Sequence, residues 1–314
     1  MDDFFEVIKN STSILLLAHE NPDGDAIGSL MAFYHMLKGM KKDVDVVVPE
    51  MPETFLFLED IDEVKTSTDK KYELAIVVDC ANIERIGQIN NEFGRCMNSL
   101  VIDHHASNTK YGKLNYVEEE ISSCCQVIYY LFKKWGVNIT KEIGNALTTG
   151  MLTDTAGFRN CNVDKNTFIM ASELIDFGIN INLLYYLVLS KKSMAQYLLV
   201  KMTLDRLELV HDGKIAFSYI SEEDMENVGA KMGDHEGLVD LGRNIGGVEV
   251  SIFMRECKDY YRISLRSNGN VNVNKVANKF GGGGHKMAAG IKISGSFKET
   301  KEKVINAIIE ELNQ

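Results

Sequence analysis

Four groups of acidic and imidazole side chains in the sequence have types and positions that suit metal-assisted chemistry. The first is His19-Glu20-Asn21-Pro22-Asp23-Gly24-Asp25, a loop between an apolar run and a helical pattern. Gly24 permits a tight path between two carboxylates, so Asp23 and Asp25 can serve different neighbouring cations. The competing role for either is simply to cap the helix that follows. The second is Asp79, which closes the apolar run 74–78, and the third is Asp103-His104-His105, directly after the apolar run 99–102. The fourth is Asp154, at the end of a helical stretch whose small residues, Thr148, Thr149, Gly150 and Thr153, let another element approach closely. Taken singly, Asp79 reads as a turn residue and Asp154 as a helix-terminal acid. Adjacent histidines after a buried strand are harder to explain by packing, since imidazole is polar and needs partners when enclosed.

Together these residues offer oxygen and imidazole ligands and no thiolate. Such a set suits Mn²⁺, with Mg²⁺, Co²⁺, Fe²⁺ or Zn²⁺ as substitutes, and it is too rich for one ion, so two are expected. A phosphate ester resists hydrolysis because the nucleophile must approach a centre that is already negative. Two cations roughly 3.5 to 4 Å apart would acidify a bridging water and neutralise the charge building on the phosphoryl oxygens.

The elements that must position these groups follow from periodicity. Apolar runs at 13–18, 44–48, 74–78 and 99–102 read as buried strands. Ile27, Leu30, Met31, Tyr34 and Leu37 recur at helical spacing until Gly39, and further helices are expected near 124–135 and 141–152. This is the rhythm of a doubly wound α/β domain with a parallel sheet. In such a sheet the carboxyl ends of the strands share one edge, where residues distant in sequence converge. Residues 164–207 read as mostly helical. Beyond them, 207–210 and 214–220 flank the hairpin turn Asp212-Gly213, and 248–255 and 261–266 look like further strands. We therefore expect a catalytic domain over 1–188, a helical linker over 189–206 and a smaller α/β domain with a mixed sheet over 207–314.

Bulk properties narrow the function classes. Of 314 residues, 45% are hydrophobic and 25% charged, the balance of a soluble globular protein. Lys and Arg total 34 against 45 Asp and Glu, a net charge of -11 that disfavours a nonspecific grip on long nucleic acid and leaves short anionic substrates open. No apolar stretch approaches the ~20 residues of a spanning helix, and the start, Met1-Asp2-Asp3, is acidic where an export signal would be basic. A cytoplasmic protein without membrane association is expected. Six cysteines without a C-x-x-C spacing read as reduced core residues.

The four clusters, in this order, resemble the motifs of the DHH phosphoesterase superfamily, called after the triplet seen here at Asp103, His104 and His105. The resemblance implies one metal held by His19, Asp23 and Asp79 and a second held by Asp25, Asp79, His104 and Asp154, with Asp79 bridging. It implies that Asp103 orients an imidazole and that His105 faces the scissile phosphate. Gly281-Gly282-Gly283-Gly284-His285, followed by Ala288-Ala289-Gly290, is similar to the substrate-binding signature of the associated C-terminal domain. Glycine backbone there can approach a phosphate and offer N–H donors, with His285 beside it. Arg266 and Ser267 resemble that domain's Arg-Ser pair, in which a guanidinium grips phosphate oxygens. Arg159, just past Asp154, is a weaker candidate for substrate contact, while His35, His211 and His235 match no motif. Within the superfamily the chain looks most like the stand-alone NrnA-like branch. That implies a manganese-dependent enzyme releasing 5′-nucleotides from short oligonucleotides and converting 3′-phosphoadenosine 5′-phosphate to AMP. Cyclic di-AMP or pApA hydrolysis is the neighbouring expectation. A homodimer is expected by family analogy alone, and long duplex nucleic acid is not an expected partner.

Overall fold

Three of the five N-terminal strands are apolar runs buried along almost their whole length, as parallel strands covered on both faces must be. A computed structural model describes residues 3–313; Met1 and Asp2, whose charge enters the reading of the chain's start, lie outside them. The chain divides into two compact units, Met1–Lys191 and Lys192–Gln314.

In the first unit the strands are β1 (Ser13–Leu17), β2 (Asp43–Val46), β3 (Leu74–Val78), β4 (Asn98–Asp103) and β5 (Leu114–Val117). They form one parallel sheet in the order β2-β1-β3-β4-β5. Its helices are α1 (Asp3–Asn10), α2 (Gly24–Gly39), α3 (Asn90–Gly94), α4 (Cys124–Trp135), α5 (Lys141–Asp154), α6 (Lys165–Asp176) and α7 (Ile181–Tyr185). One face of the sheet packs on a large core shared with α2, α4 and α5. The other packs on a smaller core under residues 83–94, where Leu15, Val77 and Val101 meet Ile86 and Ile89. The doubly wound parallel sheet expected from the sequence is present. The expectation missed β5, a half-buried edge strand whose Leu-Asn-Tyr-Val lacks an unbroken apolar run.

Glycines let α2 and α5 pack closely against each other. A Cβ on Gly28 would lie 2.4 Å from the Ala146 carbonyl oxygen. One on Gly150 would lie 2.3 Å from Cys125 Sγ and 2.6 Å from Asp25 Oδ1. The seam therefore carries Asp25, near the start of α2, to the last turn of α5, where Asp154 stands.

In the second unit α8 (Met194–Asp205), the segment expected as a linker, packs through Leu199 on a core of Ile220, Leu238, Val239 and Phe253. The remaining elements are β6 (Glu208–Val210), β7 (Ile215–Ile220), α9 (Glu222–Asn227), α10 (Leu238–Arg243), β8 (Val250–Cys257), β9 (Tyr260–Ser267), α11 (Val273–Asn278), β10 (Gly283–His285), β11 (Ala288–Ile293) and α12 (Phe297–Leu312). The sheet order is β10-β11-β9-β8-β7-β6, antiparallel except for the parallel pair β7 and β8. One face carries the core shared with α11 and α12; the other meets α8 and α10 over β7 and β8. Among the described residues no single helix is long and apolar enough to cross a membrane.

Candidate metal centre and active site

The strand order changes direction between β1 and β3, and an open α/β sheet binds its ligand outside the carboxyl ends at that switch point. His19 follows β1 and Asp79 follows β3, so both stand at this crevice. Asp103 ends β4, with His104 and His105 next. Three groups of ligand atoms come together, each group with all its atoms within 4.8 Å of one another: His19, Asp23 and Asp79; Asp25, His104 and Asp154; and Asp79, His104 and His105. All the metal-ligating side chains expected from the sequence thus meet at one place in the first unit.

Local structure presents each group. Asp23 does cap α2, its Oδ1 accepting from Asp25 N at 3.0 Å and Ala26 N at 3.1 Å. Capping and clustering coexist, because only Oδ1 is engaged there. Asp25 is fully enclosed, and its two oxygens accept from the first amides of α4, Cys124 N at 2.6 Å and Cys125 N at 2.9 Å. A helix N-terminus favours a carboxylate. Asp79 adopts φ 52°, a left-handed conformation that costs a non-glycine residue roughly 1 kcal/mol or more. Its amide is anchored to the Ile102 carbonyl at 3.0 Å. Local strain of this kind persists where the surroundings dictate it, and it gathers at functional sites.

Hydrogen bonds at Nδ1 orient the histidine rings. His19 Nδ1 lies 2.9 Å from the Glu20 carbonyl oxygen and His104 Nδ1 lies 3.1 Å from that of Ile121. A ring nitrogen facing a carbonyl carries the proton, which leaves Nε2 with a lone pair directed at the carboxylates. His105 Nδ1 lies 2.8 Å from Asp103 Oδ1. Asp103 is fully buried, and its Oδ2 accepts from Asn108 Nδ2 at 2.6 Å. The sequence reading missed Asn108; its one signal was an amide placed five residues after the triplet's aspartate.

Electrostatics set this cluster apart from an ordinary ion-pair network. Burial pushes the Asp79 carboxyl well above its ordinary range, and repulsion from Asp25, Asp23, Asp103 and Asp154 pushes it further. Burial also raises Asp25, against the pull of His104. Asp154 is pushed up to about 7 by burial and then by Asp25. His104 is raised because Asp25 and Asp154 outweigh the burial that opposes its charge. Asp103 goes the other way: burial would raise it, but the hydrogen bonds from His105 and Asn108 hold it low.

These are the properties of a cation site. Asp79 Oδ1 is buried with no hydrogen-bond partner, a costly state for a carboxylate unless something else neutralises it. The imidazole-to-carboxylate spacings, His19 to Asp79 at 3.7 Å and His104 Nε2 to Asp25, Asp79 and Asp154 at 3.8, 3.6 and 3.7 Å, are too long for hydrogen bonds. Ligands around one ion stand roughly 3 to 3.5 Å apart, close to these values. The donor set of imidazole nitrogen and carboxylate oxygen suits a divalent first-row metal.

Residues 13–151 match the DHH family, N-terminal domain, and residues 212–314 match the DHHA1 domain. The chain is 31% identical over 304 residues to the bifunctional oligoribonuclease and PAP phosphatase NrnA of Thermus thermophilus, covering 96% of this chain and 90% of that protein. The chain belongs to the DHH family. As a DHH phosphoesterase it is a hydrolase acting on phosphoester bonds. It is also 26% identical to the cyclic-di-AMP phosphodiesterase PdeA of Listeria monocytogenes, over 96% of this chain but only 48% of that protein. An exopolyphosphatase-related protein from Bacteroides fragilis shares its fold, with a TM-score of 0.92 at 26% identity, covering 99% of this chain and 95% of that one.

The remaining residues expected in this DHH protein do not belong to the clustered ligand groups. Arg159 is exposed on the turn after α5, its amide donating to the Thr155 carbonyl at 2.9 Å. In the second unit Arg266 pairs with Ala288, which pairs with His285, so the guanidinium and imidazole residues share one cross-strand row. Gly282, Gly283 and Gly284 lead into the same row, and a Cβ on Gly282 would come within 2.2 Å of the Gly290 carbonyl oxygen. Ser267 is not brought to this face. Side chains alternate along a strand, so Ser267 points opposite to Arg266; it is buried, and its hydroxyl accepts from Gly269 N at 3.1 Å.

Proposed function

We propose that the chain is a manganese-dependent phosphoesterase that hydrolyses short oligonucleotides to 5′-nucleotides and 3′-phosphoadenosine 5′-phosphate to AMP. The observation that carries this reading is the buried, unpartnered carboxylate oxygen of Asp79 between two groups of ligands. Support for the substrate comes from the 31% identity to NrnA over nearly the whole chain.

In this reading His19, Asp23 and Asp79 hold one cation, and Asp25, Asp79, His104 and Asp154 hold a second. Two divalent ions bound there would supply Lewis acidity, neutralising phosphoryl charge and making a water nucleophilic near neutral pH. The amides of Cys124 and Cys125 fix Asp25, so its carboxylate needs no reorganisation when substrate arrives. Asp103 holds the Nδ1 proton of His105 and leaves Nε2 as the ring atom that faces the scissile phosphate. Domain roles follow: the first unit does the chemistry, and Arg266, His285 and the glycine segment of the second bind substrate phosphate.

A panel of di- to pentanucleotides, 3′-phosphoadenosine 5′-phosphate, pApA and cyclic di-AMP, with added Mn²⁺ and products resolved by chromatography, tests the assignment. Mononucleotide release from the linear oligonucleotides and AMP from the bisphosphate are expected, and Asp79→Ala should nearly abolish both. The likeness to PdeA keeps one alternative. Consumption of cyclic di-AMP at least as fast as the linear substrates would transfer the assignment to a cyclic dinucleotide phosphodiesterase.

A further inference from the structure

The outer half of the second sheet carries a row of cations that the proposed reaction does not use. Arg255 on β8 pairs directly with Arg262 on β9, and Arg262 pairs with Lys292 on β11. Three like charges opposite one another across adjacent strands repel, and such pairs destabilise a sheet. None of the three makes an ion pair with a carboxylate among the described residues. Arg262 and Lys292 are exposed, and Lys292 Nζ lies 3.9 Å from the centre of the Tyr260 ring. In a chain of net charge -11 this is a local reversal of sign.

The row is in register with the Arg266 and His285 row. Arg262, Ser264 and Arg266 alternate onto one face of β9, so the two cationic rows stand four residues apart on that face, about 13 Å. The row between them is Ser264 paired with Gly290, which in turn pairs with Gly283. Small side chains leave that middle row low, with a cation row on either side. Successive phosphates of an extended single strand lie roughly half of 13 Å apart.

We propose that Arg262 and Lys292, with Arg255 behind them, form a second phosphate site for an oligonucleotide, two backbone links from the phosphate held at Arg266 and His285. The nucleotide between lies over Ser264 and Gly290. The site rests on the reading of short oligonucleotides as substrates. It makes the second unit a ruler: a dinucleotide reaches one row, a tetranucleotide both.

Calorimetric titration with unlabelled di- and tetraadenylate in EDTA, where no turnover occurs, tests it. The tetranucleotide should bind the unaltered protein at least about tenfold more tightly than the dinucleotide, the effect of one good charge-assisted hydrogen bond. In R262Q/K292Q that ratio should fall to about two or less. The slope of log affinity against log salt for the tetranucleotide should shrink by about 0.7 for each phosphate that the variant no longer neutralises. R262K should keep most of the ratio, and K292Q alone, at an exposed position, should lower both ratio and slope if the double substitution harms folding. No length preference in the unaltered protein, or the same preference in R262Q/K292Q, would overturn the site. Hydrolysis of the dinucleotide in Mn²⁺ by the unaltered protein separates this from the functional reading. Turnover without a length preference sinks the row alone, whereas a length preference without turnover sinks the substrate assignment alone.

Discussion

Gly150→Ala is the smallest change that strains the geometry on which the site depends. A methyl at that position would stand 2.3 Å from Cys125 Sγ and 2.6 Å from Asp25 Oδ1, more than 1 Å inside ordinary contact. Neither neighbour is free to move. Asp25 is held by two amides of α4, and Cys125 is buried within that helix. Overpacking of this kind costs about 1–3 kcal/mol, against a gain of about 1 kcal/mol from replacing a mid-helix glycine by alanine. The net is a loss of up to about 2 kcal/mol, which should lower the melting temperature by up to roughly 4–8 °C in a unit of this size. Activity should suffer more than stability. Relief requires Asp25 or α5, which carries Asp154, to shift by about 1 Å, and a misplacement of that size costs about a hundredfold in turnover. Gly39→Ala serves as the control, since nothing lies within 4 Å of the added carbon. Thermal melting and steady-state kinetics in Mn²⁺ decide the matter. A Gly150→Ala protein with unchanged kcat, or with a raised melting temperature like that expected of Gly39→Ala, would refute the claim that the α2 and α5 seam sets the site.

Three further outcomes follow. Asp23→Asn keeps a residue that caps as well, so the melting temperature measured in EDTA should change by less than about 2 °C while Mn²⁺-dependent turnover falls at least about tenfold; equal loss of both would make Asp23 a cap and nothing more. Asn108→Ala removes the amide that holds Asp103, and kcat should drop by about 10- to 100-fold with little change in KM, as for other partners that orient a ligand or reacting group; a rise in KM alone would contradict the role. In the second unit Arg206 pairs with both oxygens of Asp224 and holds its carboxyl at about 2 against an ordinary 3.8. The shift is downward, so the stabilisation, about 2 kcal/mol at most, is complete above pH 4 and lost as pH falls towards 2. Denaturant unfolding of the unaltered protein and Asp224→Asn across that range should show a stability gap that closes at the acid end; a constant gap would mean that the pair contributes only packing.

Much of this was legible because a parallel sheet leaves little freedom. Once 13–18, 74–78 and 99–102 read as buried strands, the residues after them had to meet at one edge, and His19, Asp79 and the Asp103 triplet do. What stayed hidden was carried by groups without a side-chain signature. The anchors of Asp25 are backbone amides of Cys124 and Cys125, and no pattern of residue types announces them. The strand β5 has too few apolar residues to stand out. Ser267, expected beside Arg266, lies buried on the opposite face of β9, because neighbours on a strand alternate. The segment 189–206 reads as a linker because it is helical and lacks strong strand runs; in the structure Leu199 of α8 packs on the core of the second unit, a contact that no local pattern announces.

The proposed chemistry depends above all on a pair of cations joined through a shared Asp79 in the first unit. Titration of the metal-free protein with Mn²⁺, followed by calorimetry and by electron paramagnetic resonance for spin coupling between ions, tests it most directly. Two ions per chain with a coupled signal, reduced to uncoupled or weak binding in Asp79→Asn, is the predicted result. A single uncoupled ion in the unaltered protein, or two ions retained in Asp79→Asn, would contradict it.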